Sequence, residues 1–263
     1  MKKKYSVIVI LIAAAFLVVS IGVIPSVTDY QAKHRIYADM ENDLSDVMDA
    51  NVRIISVEEH DNIMAYGAGS SGVIIDKKGH TYYALTAYHV LNHEGIDHFV
   101  IITPEDPSVF EYKKKHEGAG QEEYYDQLPR VKAEYEKEES DLAVISFESD
   151  KDLLVVPVSE DMPEKGDRIA VVSNPEGEKF ISTFGIIKSS APEKYSFNDE
   201  QSDNMVLKHN AYEAPGSSGS AVYNEKMELV GINIGGGRDL FGRFRHGVMI
   251  PADQIRTCLD EWN

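Results

Sequence analysis

The sequence predicts an all-β protein: two six-stranded antiparallel barrels, a C-terminal helix that closes them, and an N-terminal transmembrane helix ahead of both. Three observations carry this. Between residues 51 and 150, six short apolar runs are separated by turn-rich segments, the texture of one small barrel. A second such series follows Pro157. The final stretch changes period: Ile255, Cys258, Leu259 and Trp262 recur at i, i+3, i+4 and i+7, one face of a helix opened by Pro251. A chain of 263 residues, 43% of them hydrophobic, can fill two small cores that share a cleft.

Taken in order, residues 1–25 come first. Met1-Lys2-Lys3-Lys4 precedes an uncharged run from Ser6 to Ile24. At helical rise this run covers roughly 28 Å, the thickness of a bilayer core. It exceeds the apolar region of a secretory signal, and Ser20-Ile21-Gly22 is a poor cleavage site. A signal anchor is therefore favoured over a cleaved signal peptide, with the lysines inside and the remainder outside the membrane. Residues 26–50 are polar, with Tyr37, Met40, Leu44, Val47 and Met48 spaced for an amphipathic stalk helix. The single cysteine, Cys258, excludes an intramolecular disulfide, and an exported protein without one points to a bacterial source.

Residues 51–263 form the expected β-rich domain, with a first barrel over 51–150, a second over 151–250 and the helix over 251–263. First-barrel strands are expected at Val52–Val57, Gly72–Asp76, Tyr82–Thr86, His98–Thr103, Arg130–Glu136 and Leu142–Phe147. The charged, tyrosine-rich stretch Glu111–Gln127 reads as a solvated loop or frayed helix, with a substrate-touching flap as the alternative. Second-barrel strands are expected at Arg168–Ser173, Phe180–Ile187, Met205–Lys208, Ala221–Tyr223, Glu228–Ile234 and Arg243–Met249.

The chemistry centres on Pro215-Gly216-Ser217-Ser218-Gly219-Ser220. Glycines let backbone N–H groups turn toward a ligand, and a serine among them presents a hydroxyl beside those donors. Acyl transfer needs that pairing of nucleophile and anion-stabilising donors. Taken alone the hexapeptide is an ordinary loop, and Ser217 and Ser220 compete with Ser218 by composition. His89, at the end of the strand-like run Ala84–Leu91, and Asp141, ahead of Leu142–Phe147, supply the other parts of a Ser-His-Asp triad.

In the order His, Asp, Ser, the segments LTAYHV, DLAVI and GSSGS resemble the LTAAHV, DLAVL and GNSGG motifs of trypsin-like, chymotrypsin-fold serine proteases of the bacterial kind. Three ordered motifs over about 130 residues are far more specific than one. Within that family the chain is similar to the HtrA/Deg protease domain and to the glutamyl endopeptidases. Ser173–Gly177 resembles the GNPFG turn and Gly247–Pro251 the GIGFAIP strand of the first group, while Tyr223–Lys226 and Gly231–Gly236 resemble the second. The resemblance implies His89, Asp141 and Ser218 as the triad, with Gly216 and Ser218 N–H groups as the oxyanion hole. It implies Tyr212, Glu213, Asn233, Ile234 and Gly235 around the substrate. The implied activity is hydrolysis of protein or peptide substrates by a serine endopeptidase (EC 3.4.21 class) on the outer face of a bacterial membrane, or secreted if the signal is cleaved. No PDZ domain is expected.

Two departures matter. Ser217 stands where animal members carry an acid that pairs with a freshly cut N-terminus, so no activation by that switch is expected. Asn233 replaces a histidine important to glutamate preference, so that preference is not implied. No cofactor is expected, and no metal: the sequence lacks HExxH, paired Cys/His spacings and an EF-hand loop. A formal charge of −18 argues against nucleic-acid binding. A catalytically silent peptide-binding or sensor module on the same fold is the alternative.

Overall fold

The computed structural model describes residues 37–60, 63–177, 180–195 and 204–263. The expected transmembrane helix over 1–25 lies outside the described residues, as does the stalk as far as residue 36. No helix among the described residues is long and apolar enough to cross a membrane. Residues 37–43 are helical, and a 3-10 helix follows at Leu44–Ala50.

The rest is mostly antiparallel β-structure in two curled sheets. The first contains β1 (Asn51–His60), β2 (Ile63–Tyr66), β3 (Ser70–Lys78), β4 (Thr81–Ala87), β5 (His98–Ile102), β6 (Lys132–Lys137) and β7 (Leu142–Glu148). Its order is β2-β1-β3-β4-β7-β6, with β5 on β1. It curls back on itself where Ile101 N–H donates to Pro129 O and Val131 N–H to Phe99 O, both at 2.9 Å. Six strands thus form a ring, with β2 added on the β1 edge.

The second sheet contains β8 (Arg168–Ser173), β9 (Ile181–Ile186), β10 (Glu193–Lys194), β11 (Met205–His209), β12 (Ser220–Tyr223), β13 (Leu229–Arg238) and β14 (Phe244–Pro251), in the order β10-β11-β14-β13-β12-β8-β9. A bridge between Ile187 and His209 brings its two ends together. Ile169, Val171, Ile187, Leu207, Val222, Val230 and Met249 form a buried cluster within it. The short β2 and β10 were not expected from sequence: β2 is an apolar run of four residues without alternation, and β10 is two charged residues.

The stretch read as a solvated loop or frayed helix is helical but packed: it forms α2 (Val109–Lys115) and α3 (Gln121–Asp126), the short turn α1 (Tyr88–Leu91) preceding them. Ser108 caps α2 in a reciprocal box: its Oγ accepts from Glu111 N–H, and Glu111 Oε2 accepts from Ser108 N–H at 2.7 Å. Tyr112, Tyr124 and Tyr125 pack on Ile55, Val57, Val100 and Ile102. β1 and β5 are therefore covered on both faces. The tyrosines permit this because their rings bury while a hydroxyl keeps a partner, as Tyr124 OH does on Pro107 O at 2.7 Å.

The closing helix α4 (Ala252–Trp262) buries Ile255 and Cys258 and packs on β13 and β14. Burial pushes the Cys258 thiol up to about 11. The far end of α4 reaches the first sheet. Glu261 accepts from Tyr135 OH at 2.8 Å and pairs with Lys137 at 2.6 Å, and Trp262 meets Tyr83 with ring centroids 5.1 Å apart.

Candidate active site

β4 and β7 pair in register from Thr81–Glu148 to Ala87–Leu142, which brings the residue after one strand beside the residue before the other. Tyr88 N–H donates to Asp141 O at 3.1 Å. Asp141 is left-handed, with φ 50°, which turns its carboxylate back over α1. One carboxylate oxygen accepts the His89 backbone N–H at 2.9 Å, and the carboxylate lies 2.8 and 3.0 Å from His89 Nδ1. With the Nδ1 hydrogen given to Asp141, the neutral ring carries its lone pair on Nε2. His89 is a third exposed along its side chain, Asp141 less.

Ser218 comes from the other sheet. Its turn carries two glycines with positive φ: Gly219 (83°), pressed against the first sheet, and Gly216 (100°), pressed chiefly against Asn174 after β8. A Cβ at 219 would lie 2.1 Å from Ser71 O, 2.2 Å from Thr86 Oγ1 and 3.1 Å from Ala87 N, so the peptide after Ser218 rests on the end of β4, two residues before His89. A Cβ at 216 would lie 2.3 Å from Asn174 O. Only glycine meets both the dihedral and the close approach.

The three candidate serines separate by environment. Ser217 is fully buried, its Oγ accepting from Ala214 N–H at 3.2 Å. Ser220 is fully buried and donates to Ser217 O at 2.6 Å. Ser218 is half-buried. The N–H groups around it divide as well. Ser217, Gly219 and Ser220 donate to Ala214 O, Asn233 O and Ser217 O. The Gly216 and Ser218 N–H groups have no acceptor among the described residues.

Ser71 ties this turn to the first sheet. Its N–H donates to Ser218 O at 2.9 Å, its Oγ donates to Gly216 O at 2.9 Å, and its carbonyl accepts from Thr86 Oγ1 at 2.8 Å. The same Oγ accepts from Asn174 N–H and Asn174 Nδ2, each at 3.0 Å. Sequence reasoning missed Ser71 and the anchoring role of Asn174. The signal was present: Gly69-Ser70-Ser71-Gly72 repeats the Gly-Ser-Ser-Gly of residues 216–219.

The residues implied around the substrate fall in different places. Tyr212 is exposed, with its ring edge-on to Phe244 at 5.4 Å. Asn233 and Ile234 are buried. Asn233 is fully engaged: Oδ1 accepts from His209 Nε2 at 3.0 Å, and Nδ2 donates to Ser217 O at 3.1 Å. Burial lowers the His209 pKa to about 4, so the ring stays neutral near pH 7. Gly235 lies at a register shift between β13 and β14. β12 pairs with Leu229–Asn233 only, leaving residues 234–237 with β14 on one side and, among the described residues, no strand on the other. Glu213 is buried; desolvation raises its carboxyl pKa, opposed by Arg238. Tyr195 is half-buried, its phenol raised first by burial and then by the charges of Glu213 and Asp141. Among the described residues no group of three or more His, Cys, Asp or Glu side chains could hold a metal ion.

Two curled antiparallel sheets, a C-terminal helix and a His–Asp pair two residues along the chain from the point where a glycine-bound serine turn packs on β4 are consistent with a chymotrypsin-like fold. The family model of the trypsin-like peptidase domain matches residues 70–232, well over half of the chain, and the chain belongs to that family. Over 123 residues, 46% of its length, it is also 30% identical to a probable periplasmic serine endoprotease DegP-like of Buchnera aphidicola subsp. Schizaphis graminum (strain Sg). That match spans a quarter of the relative's length.

Proposed function

We propose that the chain is a serine endopeptidase acting through His89, Asp141 and Ser218. His89 Nε2 takes the proton from Ser218 Oγ as that oxygen attacks the substrate carbonyl. Asp141 holds the ring by Nδ1 and stabilises the imidazolium that forms. The Gly216 and Ser218 N–H groups receive the oxyanion, each worth about 3–4 kcal/mol of barrier. The imidazolium then protonates the leaving amine, leaving an ester on Ser218. Water, deprotonated by His89, hydrolyses that ester and restores the hydroxyl. The substrate adds as an extended strand along residues 234–237, the edge left open beyond β12.

The location proposed is the outer face of a bacterial membrane, tethered by residues 1–25. The apolar run at residues 6–24 and the word periplasmic in the relative's name support this. The observation that carries the catalytic reading is the 2.8 Å contact of His89 with Asp141 beside a turn whose Gly219 rests on Thr86 and Ala87. A fluorophosphonate probe tests it: wild type takes the label, and Ser218→Ala does not. Folded wild type that stays unlabelled refutes catalysis and leaves a silent peptide-binding module.

A further inference from the structure

We propose that His209 and Asn233 are positioning residues for an oxyanion donor: His209 fixes the side-chain amide of Asn233, and that amide aims the Ser218 N–H into the cleft. This rests on Ser218 being the nucleophile.

The peptide group between Ser217 and Ser218 carries the effect. It is planar and trans, so its C=O and its N–H point in opposite directions. The carbonyl, Ser217 O, turns into the protein. It accepts from Ser220 Oγ at 2.6 Å, from Ser220 N–H at 3.2 Å and from Asn233 Nδ2 at 3.1 Å. Ser217, Ser220 and Asn233 are all fully buried. The N–H, on Ser218, faces the other way, and Ser218 is only half-buried. The Ser220 donors belong to the same turn. Asn233 Nδ2 comes from β13, so it is the bond that fixes the plane of this peptide relative to the sheet. Asn233 holds the next peptide too, its backbone carbonyl accepting from Gly219 N–H at 2.8 Å.

His209 decides which way round the amide sits. An asparagine amide turned over keeps nearly the same shape, but it would set Oδ1 against Ser217 O, acceptor against acceptor. Ser217 O only accepts, so the amide end that faces it is Nδ2. The end that faces His209 is then Oδ1, and His209 Nε2, 3.0 Å away, must carry a hydrogen. Donation thus runs one way, from the ring to the amide and from the amide to the turn. The ring has no room to swing. It is fully buried and pairs with Gly247 in the β11–β14 register, where a Cβ would lie 2.2 Å from His209 Cε1 and 2.5 Å from Nε2. Without the ring, Oδ1 is a buried acceptor with no donor, and nothing keeps Nδ2 on Ser217 O. A turned amide repels that carbonyl and rotates the peptide, and the Ser218 N–H rotates with it. The oxyanion forms only as the substrate carbonyl is attacked, so the loss falls on kcat and spares substrate binding.

The test uses the full chain. Fluorophosphonate labelling of wild type is scored first: an unlabelled protein defeats the nucleophile reading and this proposal with it, and a labelled one isolates the proposal. His209→Leu removes the donor, and His209→Gln returns an N–H near the place of Nε2. On a fluorogenic peptide, His209→Leu is expected to lower kcat about 10- to 100-fold with KM within about twofold, and His209→Gln to recover most of that loss. A peptide aldehyde, whose adduct sets an oxygen anion at the same donors, should bind His209→Leu more weakly by the factor lost in kcat. The cleaved product peptide should bind it as tightly as wild type. Imidazole nitrogen NMR of wild type near pH 7 needs no variant and should show His209 with its hydrogen on Nε2. A neutral ring protonated on Nδ1 instead overturns the proposal. So does wild-type kcat in His209→Leu, no recovery in His209→Gln, or an equal loss of aldehyde and product affinity, the mark of general loosening.

Discussion

Ser71→Ala removes one oxygen that joins the two sheets beside the proposed nucleophile. That oxygen donates to Gly216 O at 2.9 Å and accepts from Asn174 N–H and Nδ2 at 3.0 Å each. Ser71 and Asn174 are each 1% exposed, so water does not replace the lost partner freely. Asn174 Nδ2 has a fallback in Val52 O at 3.4 Å, but the Asn174 backbone N–H and the Gly216 carbonyl are left unsatisfied. Each buried orphan costs about 1–3 kcal/mol, and partial relaxation brings the sum to roughly 2–4 kcal/mol. The Ser71 N–H still reaches Ser218 O, so the turn loosens at Gly216 and does not detach. Gly216 supplies one proposed oxyanion donor, so kcat should fall about 10- to 100-fold, within the range for weakening one donor. Urea unfolding gives the stability change at constant m, and steady-state kinetics on a fluorogenic peptide give kcat. A variant within about 0.5 kcal/mol of wild type, with unchanged kcat, would refute the idea that this hydroxyl holds the turn.

Asp141→Asn leaves the size of the side chain but no longer fixes the hydrogen of His89 on Nδ1. Stopped assays should show kcat reduced about ten-thousand-fold, with a far smaller change in KM. His209 gives a pH signature. Its folded pKa of about 4 lies below the ordinary value of 6.5, so on acidification the unfolded chain takes the proton first. Its contribution to stability is complete above pH 6.5 and is lost as pH falls through 4, a total of about 3 kcal/mol over that window. Urea midpoints at pH 7 and pH 4 should differ more in wild type than in His209→Gln; equal differences would count against a neutral buried ring.

Strands buried by a run or an alternation of apolar side chains were legible in the sequence. Leu142–Phe147 is buried from end to end, and the expected strand there differs from β7 by one residue. β8 lies at Arg168–Ser173, the expected span. The closing helix begins after Pro251, where φ −79° suits an N-cap, and its i, i+3 positions Ile255 and Cys258 face inward. What escaped has a common cause. The residues 111–127 looked solvated because charge was counted and tyrosine was not weighed as a core residue. The left-handed conformation of Asp141 leaves no mark on an aspartate's neighbours in sequence. Ser71 makes bonds across 103 and 145 positions, and no local periodicity encodes a partner that distant.

The site also divides unevenly between the two sheets. The His89–Asp141 contact is made inside the first sheet, at the ends of β4 and β7 that their register brings together. In the proposed mechanism Ser218 would reach them across the seam. That seam is held by the Ser71 bonds, by Tyr223 OH donating to Asn51 Oδ1 at 3.1 Å within buried surroundings, and by Glu261 of α4 on Tyr135 and Lys137. Changes at the seam and changes at Asp141 therefore act on different quantities. In the proposed mechanism, loosening the seam would misplace the Ser218 hydroxyl and the proposed oxyanion donors while the imidazole keeps its Asp141 contact. Losing the Asp141 charge disorients the imidazole while the hydroxyl stays in place. Combining Ser71→Ala with Asp141→Asn should then give nearly additive losses in stability, since the two side chains share no partner. In kcat the losses should be less than additive, because a base that no longer functions gains little from a well-placed nucleophile.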